Sequence, residues 1–302
     1  MSRSIERKNR IISREEITLK IICYIIVALF AVVCLFPFLL MVTSSFMNEQ
    51  EILAEGYKLL PKEWSVSAYE FLFQHPAKLL NAYKVTIFIA IVGTCLGLFL
   101  MSMAGYVLCR QDFKYRNQIS FFIYFTTLFS GGMIPTYIWM VNGLGLKNSV
   151  WSMILPALMS PWSIFLMRNF MKAIPDSLYE SAAIDGAGDF RIYWQIFMPL
   201  AKPSLATIGL FLVLGYWNEW YNAMLYIEST AKYPLQYFLQ QMVSQADIQL
   251  LIQQGATIST ADLPSESIKM ATAVVATGPI ILVYPFVQKY FVSGLTIGAV
   301  KG

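Results

Sequence analysis

The chain has 302 residues, 57% of them hydrophobic and 13% charged, with a formal net charge of +4 and a mean hydropathy of +0.56. Soluble domains carry roughly a quarter charged residues, so this composition excludes an ordinary water-soluble enzyme or binding domain and points to a chain built for lipid. The apolar runs are continuous rather than alternating, which selects membrane-spanning helices over a barrel.

An amino-terminal tail, residues 1–18, carries Arg3, Arg7, Lys8, Arg10 and Arg14 and precedes a single transmembrane domain over 19–302. A hydrocarbon core about 30 Å thick needs roughly 20 apolar residues per helix. Six segments qualify: Leu19–Thr43, Ala82–Cys109, Ile119–Val141, Val150–Met171, Ser204–Ile227 and Met270–Phe291. The expected fold is therefore all-α and polytopic, with no soluble domain. The first apolar run is too long for a signal-peptide core and has no small-residue cleavage site after it, so it reads as a retained span. Pro37, Pro135, Pro156, Pro161, Pro279 and Pro285 fall in or near the spans, where membrane helices tolerate them if neighbours satisfy the freed backbone groups.

Orientation follows from Lys and Arg. Lys20 and the tail residues, Arg110, Lys114 and Arg116 between spans two and three, Arg168, Lys172, Arg191 and Lys202 between spans four and five, and Lys289 and Lys301 at the end all fall on one side. The positive-inside rule places that side, and both termini, in the cytoplasm. The net positive charge reflects this bias; no basic cluster with interleaved aromatics suggests nucleic acid. Cys23, Cys34, Cys95 and Cys109 sit within or at the ends of spans without a CxxC spacing, which suggests neither disulfides nor a metal site.

Two external loops are expected, 46–81 and 228–269. The first carries Glu49, Glu51, Glu55, Glu63 and Glu70 and reads as short helices against the outer face. The second holds Leu235, Phe238, Leu239 and Met242 at helical spacing, an apolar stripe suited to capping the bundle or to meeting an external partner.

The cytoplasmic segment 172–203 is longer than the 2–8 residues usual between bundle helices. Pro175 opens a short helix that Asp176 or Ser177 can cap, and Glu180 follows in the first turn. Ala182 and Ala183 offer a small-residue face, and Gly186 and Gly188 end the helix. A second short helix runs from Phe190 to Phe197 and is stopped by Pro199 and Pro203. Spacing alone leaves both a docking hairpin and a helix lying on the headgroups open.

In span five, Asn218, Glu219 and Asn222 are placed on one side by a helical turn, with Tyr216, Trp217, Trp220 and Tyr221 around them. An ionisable residue within a span tends to face a wet cavity or the bundle interior, and sugars offer hydroxyls to Asn and Glu and flat faces to aromatic rings. This patch is a candidate substrate path; an interfacial aromatic belt or an interhelical lock accounts for it equally. The chain has no GxxxxGK[ST] phosphate loop and a single histidine, His75, in an external loop, so no intrinsic ATPase, catalytic group or metal site is expected.

The run Glu180–Pro199, ESAAIDGAGDFRIYWQIFMP, resembles the EAA motif of the permease subunits of ABC importers, with Ser181 and Met198 as mild departures. WNEW at Trp217–Trp220, LPSESIKMA at Leu263–Ala271 and the ending VQKYFVSGLTIGAVKG are similar to the carbohydrate-uptake permeases of the MalG type. FSGGMIPTYIWMVNGLGLKN, Phe129–Asn148, resembles the LplC- and YtcP-like oligosaccharide subgroup. The resemblance covers nearly the whole chain and implies the type I ABC importer permease fold in a bacterial cell membrane. It implies a coupling helix at which Glu180, Ala182, Ala183, Asp185, Gly186, Ile196 and Pro199 meet a cytoplasmic ATPase dimer, and a tail contact to that dimer through Gly294, Thr296 and Gly298 in 292–302. It also implies a second, MalF-type permease, an external sugar-binding protein or lipoprotein and an oligosaccharide substrate. ATP and Mg would be used by the partner, with no cofactor on this chain. From the residues alone, a stand-alone carrier or channel stays as the alternative, although no internal repeat favours one.

Overall fold

A computed structural model describes residues 14–74, 76–244 and 266–281. The basic tail before residue 14, His75, residues 245–265 of the second external loop and everything after residue 281, including Gly294, Thr296 and Gly298, lie outside the described residues. The chain divides into two compact units, Met1–Phe71 with Gln249–Val274, and Leu72–Ile248 with Val275–Gly302.

The first unit begins with α1 (Arg14–Ser44), a 31-residue helix with almost no buried side chain. Two short helices follow, α2 (Glu49–Glu55) and α3 (Ser67–Leu72), as the acidic loop suggested. Asn48 caps α2 by accepting from the Gln50 amide at 3.0 Å, and Phe46 stacks on Tyr69 with ring centroids 4.8 Å apart. Glu49 is buried, and its carboxylate accepts from the amides of Glu266 and Ser267, at 2.8 and 3.0 Å, and from the Ser267 hydroxyl at 2.9 Å. A carboxylate from one segment thus satisfies two amides of the helical residues 266–281. Tyr57 donates to Glu266 at 2.7 Å, and burial and that carboxylate push its phenol up to about 12, so it remains a donor at neutral pH. Glu49→Ala leaves the fully buried Ser267 groups without their acceptor, and we expect a loss of about 1–3 kcal/mol. Thermal unfolding in detergent checks it, with Glu49→Asp as the shorter-reach control.

The second unit is built on α4 (Pro76–Cys109), which packs along α8 (Pro161–Lys172) and α12 (Lys202–Trp217). Its core holds Ile89, Met101, Met153, Ile154, Met167, Ile208 and Tyr216, all buried. The helices approach closely at glycines. A Cβ on Gly93 would lie 2.4 Å from the Tyr216 ring, and one on Gly105 would meet Met167 at 2.8 Å. Small residues of this kind drive helix association in lipid, where burying apolar surface gains nothing.

Spans one and two were expected as single helices and are α1 and α4. Three of the other expected spans are broken, while Met270–Phe291 is helical over its described part, residues 270–281. Ile119–Val141 is α5 (Arg116–Leu128) and α6 (Met133–Ile138) with a π-helical turn at Trp139–Gly143, the two parts bent by 114°. The bend sits where Gly132 takes φ +85° just ahead of Pro135. Val150–Met171 is α7 (Trp151–Ile154), a 3-10 turn at Leu155–Ala157, and α8, with Pro156 and Pro161 at the breaks. Ser204–Ile227 ends its main helix at Trp217 and resumes as α13 (Tyr221–Tyr226). Residues 235–244 are helical, with Leu235, Phe238, Leu239 and Met242 buried, which matches the capping role of that stripe.

Candidate functional site

The segment between α8 and α12 forms a helical hairpin. Its first limb is α9 (Asp176–Ile184). No side chain caps it: Pro175 occupies the cap position, and Asp176, expected as a cap, is the first helical residue and accepts from Gln111 at 3.0 Å. Glu180 is the fifth helical residue and lies outside the first turn. The limb ends at Asp185 in a Schellman turn, closed by Gly186 N–H donating to Ala183 O and Ala187 N–H to Ala182 O, both at 3.0 Å. Gly186 has φ +79°, which only glycine adopts freely, whereas Gly188 at φ −71° has ordinary geometry and needs no glycine.

The second limb is α10 (Asp189–Ile192), a π-helical turn at Tyr193–Phe197, and α11 (Met198–Leu200). Pro199 was expected to stop it and instead lies inside. A proline lacks the amide that would bond one turn back, and the wider π turn just before it absorbs the missing bond. The chain then bends by 81° into α12.

Among the seven residues expected at the docking face, Glu180, Ala183, Asp185, Gly186 and Pro199 are exposed, while Ala182 and Ile196 are half-buried against the chain's own core. The most exposed apolar side chain of the hairpin is one the sequence reading passed over. Ile184, at the tip, is 87% exposed, with Phe190 and Trp194 exposed on the other limb. The available signal was an isoleucine immediately before the turn sequence DGAG, where no core could reach it.

Arg110 was counted only as a topological charge. It is the first residue after α4, its side chain is 11% exposed, and its guanidinium lies over the Tyr179 ring of α9 at 3.1 Å from the centroid. It reaches Asp189 Oδ1 at 3.4 Å and donates through Nε to Asp112 Oδ1 at 2.8 Å. That donation holds the Asp112 carboxyl below its usual range. The hairpin also meets α4 through a buried Ser102–Tyr193 hydroxyl pair at 2.7 Å.

The second candidate, Tyr216 to Asn222, is not one helical face. The helix breaks at residues 218–220, so the helical-turn argument that aligned Asn218 with Asn222 does not hold. Both Glu219 oxygens are taken by Asn222, from its amide at 2.8 Å and its side chain at 2.9 Å, which makes Glu219 a cap for α13. Tyr216 is buried and donates to Ile154 O at 3.0 Å, and the Trp217 indole donates to Ala276 O at 3.0 Å. Asn218, Trp220 and Tyr221 are exposed. A cleft of about 530 Å³ lies between the start of α8 and α12, lined by Met159, Ser160, Trp162, Phe211, Gly215 and Tyr216 but by none of Asn218, Trp220 and Tyr221. Trp162 is exposed there and meets Phe211 edge-on at 5.5 Å.

Residues 93–297 match the family described as binding-protein-dependent transport system inner membrane component. Protein LplC of Bacillus subtilis is 40% identical over 270 residues, covering 89% of this chain and 90% of that protein. The polygalacturonan/rhamnogalacturonan transport system permease protein YtcP of the same organism is 38% identical, covering 91% and 95%. The trehalose/maltose transport system permease protein MalG of Thermococcus litoralis is 29% identical, covering 96% and 99%. Among solved structures, a chain from a bacterial ABC transporter involved in import of the acidic polysaccharide alginate superposes with a TM-score of 0.76 at 30% identity, covering 94% of this chain and all of that one.

Proposed function

The chain belongs to the binding-protein-dependent transport system inner membrane component family, and from that premise we propose that it is one permease half of an ATP-driven importer of oligosaccharides in a bacterial cell membrane. Six crossings carry it: α1, α4, the bent pair α5–α6, the pair α7–α8, α12 with α13, and the segment that includes the helical residues 266–281. Both termini and the hairpin over 176–200 face the cytoplasm. A second permease completes the path, a cytoplasmic ATPase dimer that binds ATP and Mg docks on the hairpin, and an external binding protein delivers the sugar. The tail residues Gly294, Thr296 and Gly298 add a second contact to the ATPase.

The observation that carries the docking role is the tip of the hairpin. A loop merely resting on the bundle turns its apolar residues inward, whereas this one leaves Ile184 almost fully exposed at the end of α9, just before the turn. The relatives named for polygalacturonan/rhamnogalacturonan and trehalose/maltose transport, and the structural neighbour from an alginate importer, support a saccharide substrate class. A mild-detergent pull-down of the tagged chain tests the reading. An ATPase and a second permease in the eluate support it, and a chain that emerges alone yet transports after reconstitution overturns it in favour of a carrier.

For the path, the break at 218–220 presents Asn218, Trp220 and Tyr221 to the sugar, and Glu219 shapes that break. Glu219→Ala frees α13 from its cap and is expected to lower uptake several-fold with the complex still assembled, a cap being worth about 1 kcal/mol. Uptake of labelled oligosaccharide together with recovery of the complex checks this, and loss of assembly would remove Glu219 from the path.

A further inference from the structure

A docking hairpin joined to the bundle only by its own two ends could pivot without moving anything else. Here a single side chain ties both limbs to a third helix. The guanidinium of Arg110 covers Tyr179 of α9 and reaches Asp189 at the start of α10, while Tyr179 donates to the same Asp189 oxygen at 3.2 Å. Asp112 holds the other edge of the guanidinium, and Gln111 donates to Asp176 at 3.0 Å. One turn back on α4, the Tyr106 hydroxyl donates to Asp189 O at 3.4 Å, and its ring packs on Tyr193 and Phe197 at 5.4 and 4.8 Å. The close approach of Gly105 to Met167 then continues the contact into α8.

From this arrangement we infer that Arg110 is a positioning residue for energy coupling: it makes the 176–200 hairpin and α4 move as one body, so that displacement of the hairpin reaches α8 and α12 through the packing of α4. The inference rests on the importer reading and deepens it, naming where docking becomes motion of the spans. The side chain is suited to the task. A planar guanidinium stacks on a ring and binds carboxylates at its edges at once, which a lysine ammonium cannot do.

The test uses the full complex in lipid, with ATPase retention, basal hydrolysis and the stimulation of hydrolysis by sugar-loaded binding protein measured for each variant. In Arg110→Ala the ATPase remains bound, and stimulation falls at least about fivefold, the lower end of an ordinary coupling factor. Arg110→Lys stays impaired, because an ammonium cannot both stack on Tyr179 and reach the carboxylates, and wild-type stimulation in Arg110→Lys overturns the role given to the guanidinium. Unchanged stimulation in Arg110→Ala overturns the inference, as does loss of the ATPase from that variant, which would make Arg110 a residue that shapes docking alone. Should Arg110→Ala fail to accumulate, Tyr179→Ala, which removes the stacked ring and keeps Arg110, takes its place with the same expected loss of stimulation. Independently, Arg110→Cys and Asp189→Cys in a chain lacking its four native cysteines are bridged by a bifunctional thiol reagent after assembly. Bridging restores stimulation if the tie transmits motion, and a bridged complex that stays unstimulated overturns the proposal. A wild-type chain that retains no ATPase at all takes the importer reading down first, and this inference with it.

Discussion

Ile184→Asp is expected to release the ATPase from the complex while leaving the permease itself as stable as before. Ile184 is 87% exposed at the end of α9, so its replacement costs the fold no packing, and surface changes of that kind stay within about 0.5 kcal/mol. Once a partner covers the tip, the same side chain becomes a desolvated apolar anchor. Truncating such an anchor costs about 2 kcal/mol or more, and a carboxylate there adds the penalty of burying an unpaired charge. Together these weaken docking by roughly 30-fold or more. Co-purification of the ATPase with Ile184→Asp, beside the unfolding temperature of the permease in detergent, reads both halves of the expectation. Full retention of the ATPase would place the tip outside the interface.

The largest effect on stability is expected from Gly93→Ala. The added methyl would sit 2.4–2.8 Å from three carbons of the Tyr216 ring. That ring cannot step aside cheaply, because it is 1% exposed and its hydroxyl is committed to Ile154 O. Overpacking of a rigid core costs about 1–3 kcal/mol, and breaking the buried hydroxyl contact adds about 1–3 kcal/mol more. A marked fall in unfolding temperature, or failure to accumulate in the membrane, is the expected result. The same change made in a Tyr216→Ala background should be nearly neutral, since the two sites couple only through the clash. Equal sensitivity in both backgrounds would show that Gly93 meets something other than Tyr216.

The two long helices were legible in the sequence because an unbroken apolar run has one cheap solution in lipid, a continuous helix. The broken spans were not. Hydropathy is blind to backbone angles, so nothing in the apolar content of Ile119–Val141 marks the positive φ at Gly132, although Gly131, Gly132 and Pro135 stood in plain view. The π turn before Pro199 escaped for a related reason. A proline in a short helix is read as a stop, and only the structure reveals a wider turn that accommodates it. Asn218 and Asn222 were aligned by assuming a helix through residues where it breaks, so the role of Glu219 as a cap could not be foreseen. Arg110 was missed because positive-inside counting treats every basic residue alike, whereas its partners Tyr179 and Asp189 lie 69 and 79 residues further along the chain. Ala182 and Ile196 show the converse. Their motif positions suggested an outward face, and part of each side chain is spent on the chain's own core.

The turn at Gly186 has an evolutionary consequence. It is closed by main-chain hydrogen bonds and a single glycine, so Ala183, Ile184 and Asp185 have no duty in holding the hairpin together. Mutation can rewrite those three positions without first finding a compensating change elsewhere, and partner choice can drift while the scaffold stays still. A permease of this design can acquire a new ATPase, or come to share one with another importer, by a handful of surface substitutions. Its clamp at Arg110, which needs Tyr179 and Asp189 together, has no such freedom.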